Sequence, residues 1–272
     1  MNKKASSPIG VFDSGVGGLS VVREMLQQMP NESFIYFADT AHVPYGSREP
    51  WEIKSFSTAI TSFLIGQGCK MIIIACNTTN SLAYNDLIMK YDVPFIGVIE
   101  PGVDKALSIT KNGRIGIIAT EATTKSEVYQ KMLKEKNPLI KAAAEPCPLF
   151  VPFVEKGEIE GEAVCNAALQ YLEPLIQQEV DTLIMGCTHY PFLMPLLKRI
   201  TGPAVTHVDP AKETVKRALE RLKSDNILCV EELPKHRYFV SGDPEAFARV
   251  GTLFLNRKVE PVEKITLQLT DS

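Results

Sequence analysis

Two cysteines far apart in the chain are the residues best placed to do chemistry. Ile72-Ile73-Ile74-Ala75 is an apolar run that ends in Cys76-Asn77-Thr78-Thr79. Thr182-Leu183-Ile184-Met185-Gly186 is a second run, ending in Cys187-Thr188-His189. Such short apolar runs suit strands buried on both faces of a parallel sheet. Each cysteine then sits at the carboxyl end of a strand, where open α/β sheets place their ligands. Each is also expected just before a helix, whose N-terminal partial positive charge favours thiolate over thiol. Asn77, Thr78 and Thr79 offer capping groups for a helix beginning near Ser81.

A thiol needs help to act as a base near neutral pH. Candidate helpers are Asp13 for Cys76, and His189 and Glu155 for Cys187. Two acid/base groups on opposite faces of one carbon suit racemisation: a proton leaves one face and another returns to the other. Ser14, Asn77, Thr78, Thr79, Thr120, Thr188 and the Tyr45-Gly46 backbone are neutral hydrogen-bonding groups. They suit the carboxylates and ammonium group of a small polar substrate.

The elements that must position these residues alternate. Ile9 to Phe12 reads as a strand, and the glycine turn Asp13-Ser14-Gly15-Val16-Gly17-Gly18 leads into a helix from Leu19. Phe34 to Phe37 is the next strand. The loop after it carries Pro44-Tyr45-Gly46, and a helix runs from Trp51 to Gly66. From Pro101 the pattern restarts. Val103 to Ile109 is helical, Arg114 to Thr120 is a strand, and Lys125 to Lys136 is a helix. Ala142 to Val154, with three prolines, reads as extended and irregular; Glu158 to Gln178 reads as a long helix. A helix at Ala211 to Lys223, a strand at Arg237 to Val240 and a helix at Asp243 to Leu255 follow. Asn256 to Ser272 reads as a loose tail.

Strand–Cys–helix–strand–acid–Pro occurs twice, ending at Glu100-Pro101 and at Asp209-Pro210. The fold class expected is therefore α/β, with two similar, pseudo-duplicated domains whose mainly parallel sheets are flanked by helices. Residues 1–100 plus 209–272 are assigned to the first domain and 101–208 to the second, with the active site in the cleft between them.

Composition narrows the class further. The chain has 272 residues, of which 45% are hydrophobic and 22% charged, and its formal net charge is -3. That balance is globular and lacks the basic stripe of a nucleic-acid binder. No apolar run is long enough to span a membrane, and the polar N-terminus lacks a signal peptide's apolar core. A cytoplasmic location is expected. The six cysteines include no Cys-x-x-Cys pair, so no metal site is expected. Gly15 and Gly17 partly fit a dinucleotide fingerprint, with Asp39 about 20 residues on as a ribose-binding acid. Against it, Ser20 stands where the third glycine belongs, and Asp13 puts a carboxylate where a pyrophosphate would need neutral backbone.

Five blocks carry a resemblance. Asp13 to Gly18, Pro44-Tyr45-Gly46, Ala75 to Thr78, Phe150 to Glu155 and Gly186 to Pro191 resemble, in order and spacing, the signature blocks of bacterial glutamate racemases. The resemblance runs from about Ile9 to Phe254 and implies a cofactor-independent, two-base enzyme supplying D-glutamate for peptidoglycan. It implies that Cys76 takes the α-proton from D-glutamate with help from Asp13. Cys187 would take it from L-glutamate with help from Glu155 and His189. Asp13, Ser14, Tyr45, Gly46, Asn77, Thr78, Thr188 and His189 would line the substrate site. No lysine sits in a recognisable pyridoxal phosphate motif, so no cofactor is expected. Members of such families form different dimers, so a homodimer is among the expected assemblies.

Three other readings stay open at the level of sequence. An aspartate racemase would share the plan. A thiol hydrolase would use Cys187 and His189 and leave Cys76 without a purpose. A binding module would hold glutamate without exchanging its α-proton.

Overall fold

The computed structural model describes residues 5–230 and 233–269. The N-terminal residues up to Lys4 and the tail residues 270–272 lie outside that range. Among the described residues, ten strands form two sheets, and every strand pairing is parallel. The first sheet contains β1 (Ile9–Asp13), β2 (Phe34–Ala38), β3 (Met71–Ile74) and β4 (Phe95–Gly97). The second contains β5 (Arg114–Ala119), β6 (Lys141–Pro146), β7 (Thr182–Gly186) and β8 (Thr206–Val208). Their orders, β2-β1-β3-β4 and β6-β5-β7-β8, are the same topology used twice. The first sheet is extended beyond β2 by β9 (His236–Val240) and β10 (Val262–Lys264).

The helices are α1 (Leu19–Gln28), α2 (Pro50–Gly66), α3 (Asn77–Lys90), α4 (Ile99–Ile109), α5 (Glu121–Ser126) and α6 (Val128–Lys136). They continue with α7 (Phe150–Lys156), α8 (Glu162–Gln177), α9 (Met194–Thr201), α10 (Pro210–Ser224) and α11 (Pro244–Leu255). They cover both faces of the first sheet, so its central strands are apolar throughout. Ile73 and Met71 face one cluster; Ile72 and Ile74 face another with Phe12 and Phe37. The first of these clusters continues into the second sheet through Ile117, Ile118 and Leu183. Helix α10, after the chain leaves β8, packs on both α1 and α4.

Several boundaries differ from expectation for local reasons. Residues 142–154 are regular: β6 is an edge strand, where Pro146 costs no ladder bond, and Pro152 falls in the first turn of α7. The expected helix over 125–136 is two helices, broken at Glu127, whose backbone is left-handed (φ 56). Helix α8 begins only at Glu162, because Gly157 and Gly161 both hold positive φ. The tail is not loose at 262–264, where β10 adds to the sheet edge. All six cysteines are free. Among the described residues, no helix is long and apolar enough to cross a membrane.

The edge of the first sheet opposite the cysteines is held by a buried ion pair. Lys70, just before β3, lies 2.7 Å from Glu32, just before β2, and both side chains are almost fully buried. Lys70 Nζ also donates to the Ile227 carbonyl at 2.8 Å, and Glu32 accepts from the Cys229 amide at 2.8 Å. The pair thus ties the segment after α10 to the sheet. Removing one partner strands a buried charge. Lys70→Met is expected to cost about 3–5 kcal/mol, and Lys70→Met with Glu32→Leu to recover most of it. Urea unfolding of the two variants checks this; equal losses would contradict it.

Candidate active site

The two sheets present their carboxyl edges to one another, and the expected residues converge there. Ser14, Tyr45, Gly46, Cys76, Asn77, Thr78, Thr120, Cys187, Thr188 and His189 line a single enclosed cavity, together with Val151. Its free volume is about 10 Å³, room for roughly one water. Asp13 and Glu155 lie one hydrogen bond behind the wall. Asp13 accepts from Thr188 Oγ1 at 2.9 Å, and Glu155 pairs with His189 Nε2 at 2.6 Å.

The surroundings of the two sulfurs differ. Cys76 itself caps α3, which begins at Asn77 rather than near Ser81. Asn77, Thr78 and Thr79 are therefore first-turn residues, not caps. Two of them reach across to the other sheet's helices. Thr78 Oγ1 lies 2.9 Å from Thr120 Oγ1, and Tyr129 donates to Asn77 Oδ1 at 2.6 Å. Burial pushes the Cys76 thiol up to about 12; the negative charge of Asp13 adds to this, and the Thr79 amide opposes it. Asp13 spends its oxygens on the Gly15 amide and Thr188, so its effect on Cys76 in this state is through charge. Burial holds the Asp13 carboxyl above its ordinary value, against the pull of the His189 charge.

Cys187 is not followed by a long α-helix. A short 3₁₀ turn, Tyr190–Leu193, comes first, and α9 starts only at Met194. Its help comes from side chains instead. Cys187 Sγ lies 3.6 Å from His189 Nδ1, and the opposite ring nitrogen faces Glu155. Burial alone would lower the His189 pKa, but the bonds to Cys187 and Glu155 hold it well above its ordinary value. The imidazole can therefore carry a proton to or from the sulfur.

The glycine turn takes its meaning from this approach. A Cβ on Gly15 would stand 2.0 Å from Glu155 Oε1, and one on Gly17 would stand 2.4 Å from His189 Nδ1. These glycines admit side chains of the other half, leaving no space for a pyrophosphate, so the dinucleotide reading fails. Asp39 also has other work. It accepts from the Tyr45 hydroxyl, from Ser241 Oγ at 2.6 Å and pairs with His42 at 2.8 Å, fixing the loop that carries Gly46. The Tyr45 hydroxyl is thus turned to Asp39, leaving the ring and backbone to form the wall.

Sequence reasoning missed Tyr129 and Val151 as parts of the site. Val151, between Phe150 and Pro152, is an apolar residue with no chemistry of its own to mark it. Tyr129 had no signal of its own, being one aromatic in an amphipathic helix.

Comparison with known proteins agrees with this architecture. The pattern described as Asp/Glu/Hydantoin racemase matches residues 9–218. The chain belongs to that family. A glutamate racemase of Corynebacterium diphtheriae is 46% identical over 260 residues, covering 95% of this chain and 98% of its own. The crystal structure of a glutamate racemase from Bacillus anthracis superposes with a TM-score of 0.92 at 36% identity, covering 96% of this chain and 97% of its own. That of Francisella tularensis, determined in complex with D-glutamate, gives 0.90 at 35% identity, covering 96% and 98%. The α/β plan with two helix-flanked parallel sheets is thus shared with solved members of the family.

Two outcomes follow from the geometry. Gly15→Ala fits the backbone but must displace the Glu155 carboxylate. It should fold cooperatively, lower the His189 pKa by NMR titration, and cut turnover at least about tenfold; an unmoved His189 titration would contradict the contact. The second concerns pH. The folded protein holds the Cys76 proton above the ordinary value of 9.0, toward about 12, whereas the unfolded chain releases it near 9.0. Stability from this source is present below pH 9 and is lost as pH rises toward 12. Cys76→Ser should therefore show a shallower alkaline loss, by about 1.4 kcal/mol per pH unit, in urea unfolding between about pH 9 and 10.5.

Proposed function

We propose that this chain interconverts L- and D-glutamate, with Cys76 and Cys187 as the two proton-transfer groups. One observation carries the reading: cysteines from equivalent positions of two duplicated sheets line the same small cavity. The named relatives and the D-glutamate complex of the Francisella tularensis protein support glutamate as substrate.

From L-glutamate, Cys187 breaks the α-carbon's C–H bond and takes the proton, with His189 and Glu155 as its partners. Cys76, protonated, gives its S–H proton to the opposite face. The reverse reaction exchanges the two roles. Atoms balance without an added oxidant or reductant: one proton leaves, one arrives, and the carbon's configuration inverts. The α-proton of an amino acid is very weakly acidic, so the barrier must fall through positioning and through dipoles fixed in a closed, dry site. The hydroxyls and amides of Ser14, Asn77, Thr78, Thr120 and Thr188 supply those dipoles. The space inside holds about one water, so the two edges must part to admit an amino acid. The Gly46–Thr120 contact, where an added Cβ would stand 2.7 Å from Thr120 Cβ, is one place that must open.

In this reading the product serves peptidoglycan synthesis in the cytoplasm, no cofactor takes part, and a homodimer is one of the assemblies open to the chain. Incubation with L-glutamate in D₂O should both decay the optical rotation to zero and place deuterium at the α-carbon. Aspartate should react far more slowly. Cys76→Ala and Cys187→Ala should each lose racemisation by at least about a thousandfold. A single variant that racemises at the native rate would falsify the two-cysteine assignment.

A further inference from the structure

Tyr129 is fully buried, belongs to the second sheet's helices, and touches both cysteine-bearing turns. Its ring lies over Gly186, where an added Cβ would stand 3.1 Å from Tyr129 Cε2. Gly186 is the residue before Cys187. The Tyr129 hydroxyl crosses to Asn77, the residue after Cys76, and donates to Oδ1 at 2.6 Å. The left-handed residue Glu127 ends α5 and restarts the chain as α6, which puts Tyr129 in the first turn of the new helix. Burial and the nearby Cys187 raise its pKa, so the hydroxyl keeps its proton and remains a donor. The side-chain amide of Asn77 has two ends. A tyrosine donor satisfies the oxygen end, which leaves the N–H₂ end for the cavity that Asn77 lines.

We propose that Tyr129 is a positioning residue that locks the Asn77 amide with its N–H₂ group turned to the substrate, as the donor for a carboxylate. The inference rests on the glutamate reading above and deepens it. Without the hydroxyl, the amide is free to flip and present its oxygen to an anion, an arrangement that repels rather than binds.

The test is Tyr129→Phe, which keeps the packed ring. KM for both enantiomers should rise about tenfold while kcat changes less than about threefold. Asn77→Ala should raise KM similarly, and the double variant should add nothing to either single. Calorimetric titration with D-glutamate should show the same weakening, since interconversion of enantiomers releases no net heat and the signal reports binding. Native KM and Kd in Tyr129→Phe would overturn the proposal. So would additive losses in the double variant, a loss confined to kcat, or a Tyr129→Phe chain that does not fold, which would assign the hydroxyl to stability alone. If the native protein leaves the α-proton of L-glutamate unexchanged in D₂O, the functional reading fails instead. The calorimetric comparison still judges Tyr129.

Discussion

The structure depends on a close approach between two sheet edges that leaves no room for a methyl group. At Gly15, Gly17 and Gly46 the backbone of the first half lies against Glu155, His189, Thr188 and Thr120 of the second. Side chains at those glycines would push the halves apart. With the edges in contact, several polar groups of each half take partners from the other. Val16 N–H donates to Glu155 at 2.9 Å, Thr188 to Asp13, Tyr129 to Asn77, and Thr78 pairs with Thr120. A buried polar group without a partner costs about 1–3 kcal/mol, so these bonds favour one closed arrangement over many loose ones.

The duplication makes the asymmetry of the site readable. Phe12 pairs with Ile74, and Ile118 with Met185, in matching registers. Two residues further along come Ser14 beside Cys76 and Thr120 beside Cys187. Counting on from the cysteines, Thr78 matches His189. Counting back, Asp13 matches Ala119. The same scaffold therefore carries a hydroxyl and a distant carboxylate at one sulfur, and an imidazole–carboxylate pair at the other. The two cysteines are equivalent in place and different in surroundings, which suits the proposed reaction, whose two faces are mirror images only at the reacting carbon.

Much of this was legible in the sequence because buried parallel strands announce themselves. The runs Ile72-Ile73-Ile74 and Leu183-Ile184-Met185 end at functional residues, so strand and site were read together. The glycine turn was legible as a turn but not as a contact. Gly15 shows that a side chain is missing there, not which partner fills the space. Tyr129 was invisible for the same reason, since its role exists only after two distant turns meet. The helix at 150–156 was hidden by Pro152 within it and Pro146 and Pro148 before it, which one sequence cannot distinguish from the prolines of an irregular strand. Cys187 was expected to gain from a helix N-terminus, but Pro191 opens only a 3₁₀ turn there, and His189 supplies the proton partner instead.

A site this dry poses its own problem: a thiol held near 12 is a poor base. The climb from 9.0 to about 12 corresponds to about 4 kcal/mol against the Cys76 thiolate. In the proposed reaction the substrate's ammonium group, bonded to the carbon from which the proton is taken, would lie within about 4 Å of a sulfur poised there. At an effective dielectric of about 20, a full positive charge at that distance favours the thiolate by about 4 kcal/mol. The α-carboxylate is bonded to the same carbon and opposes the thiolate by a similar amount. The neutral donors lining the cavity, Asn77, Thr78 and Thr188 among them, would then have a second task in that reaction: hydrogen bonds that draw off the carboxylate's charge leave the ammonium's pull on the sulfur unbalanced. Cys187 has His189 Nδ1 at 3.6 Å in addition, so in the same reaction it would depend less on that balance than Cys76.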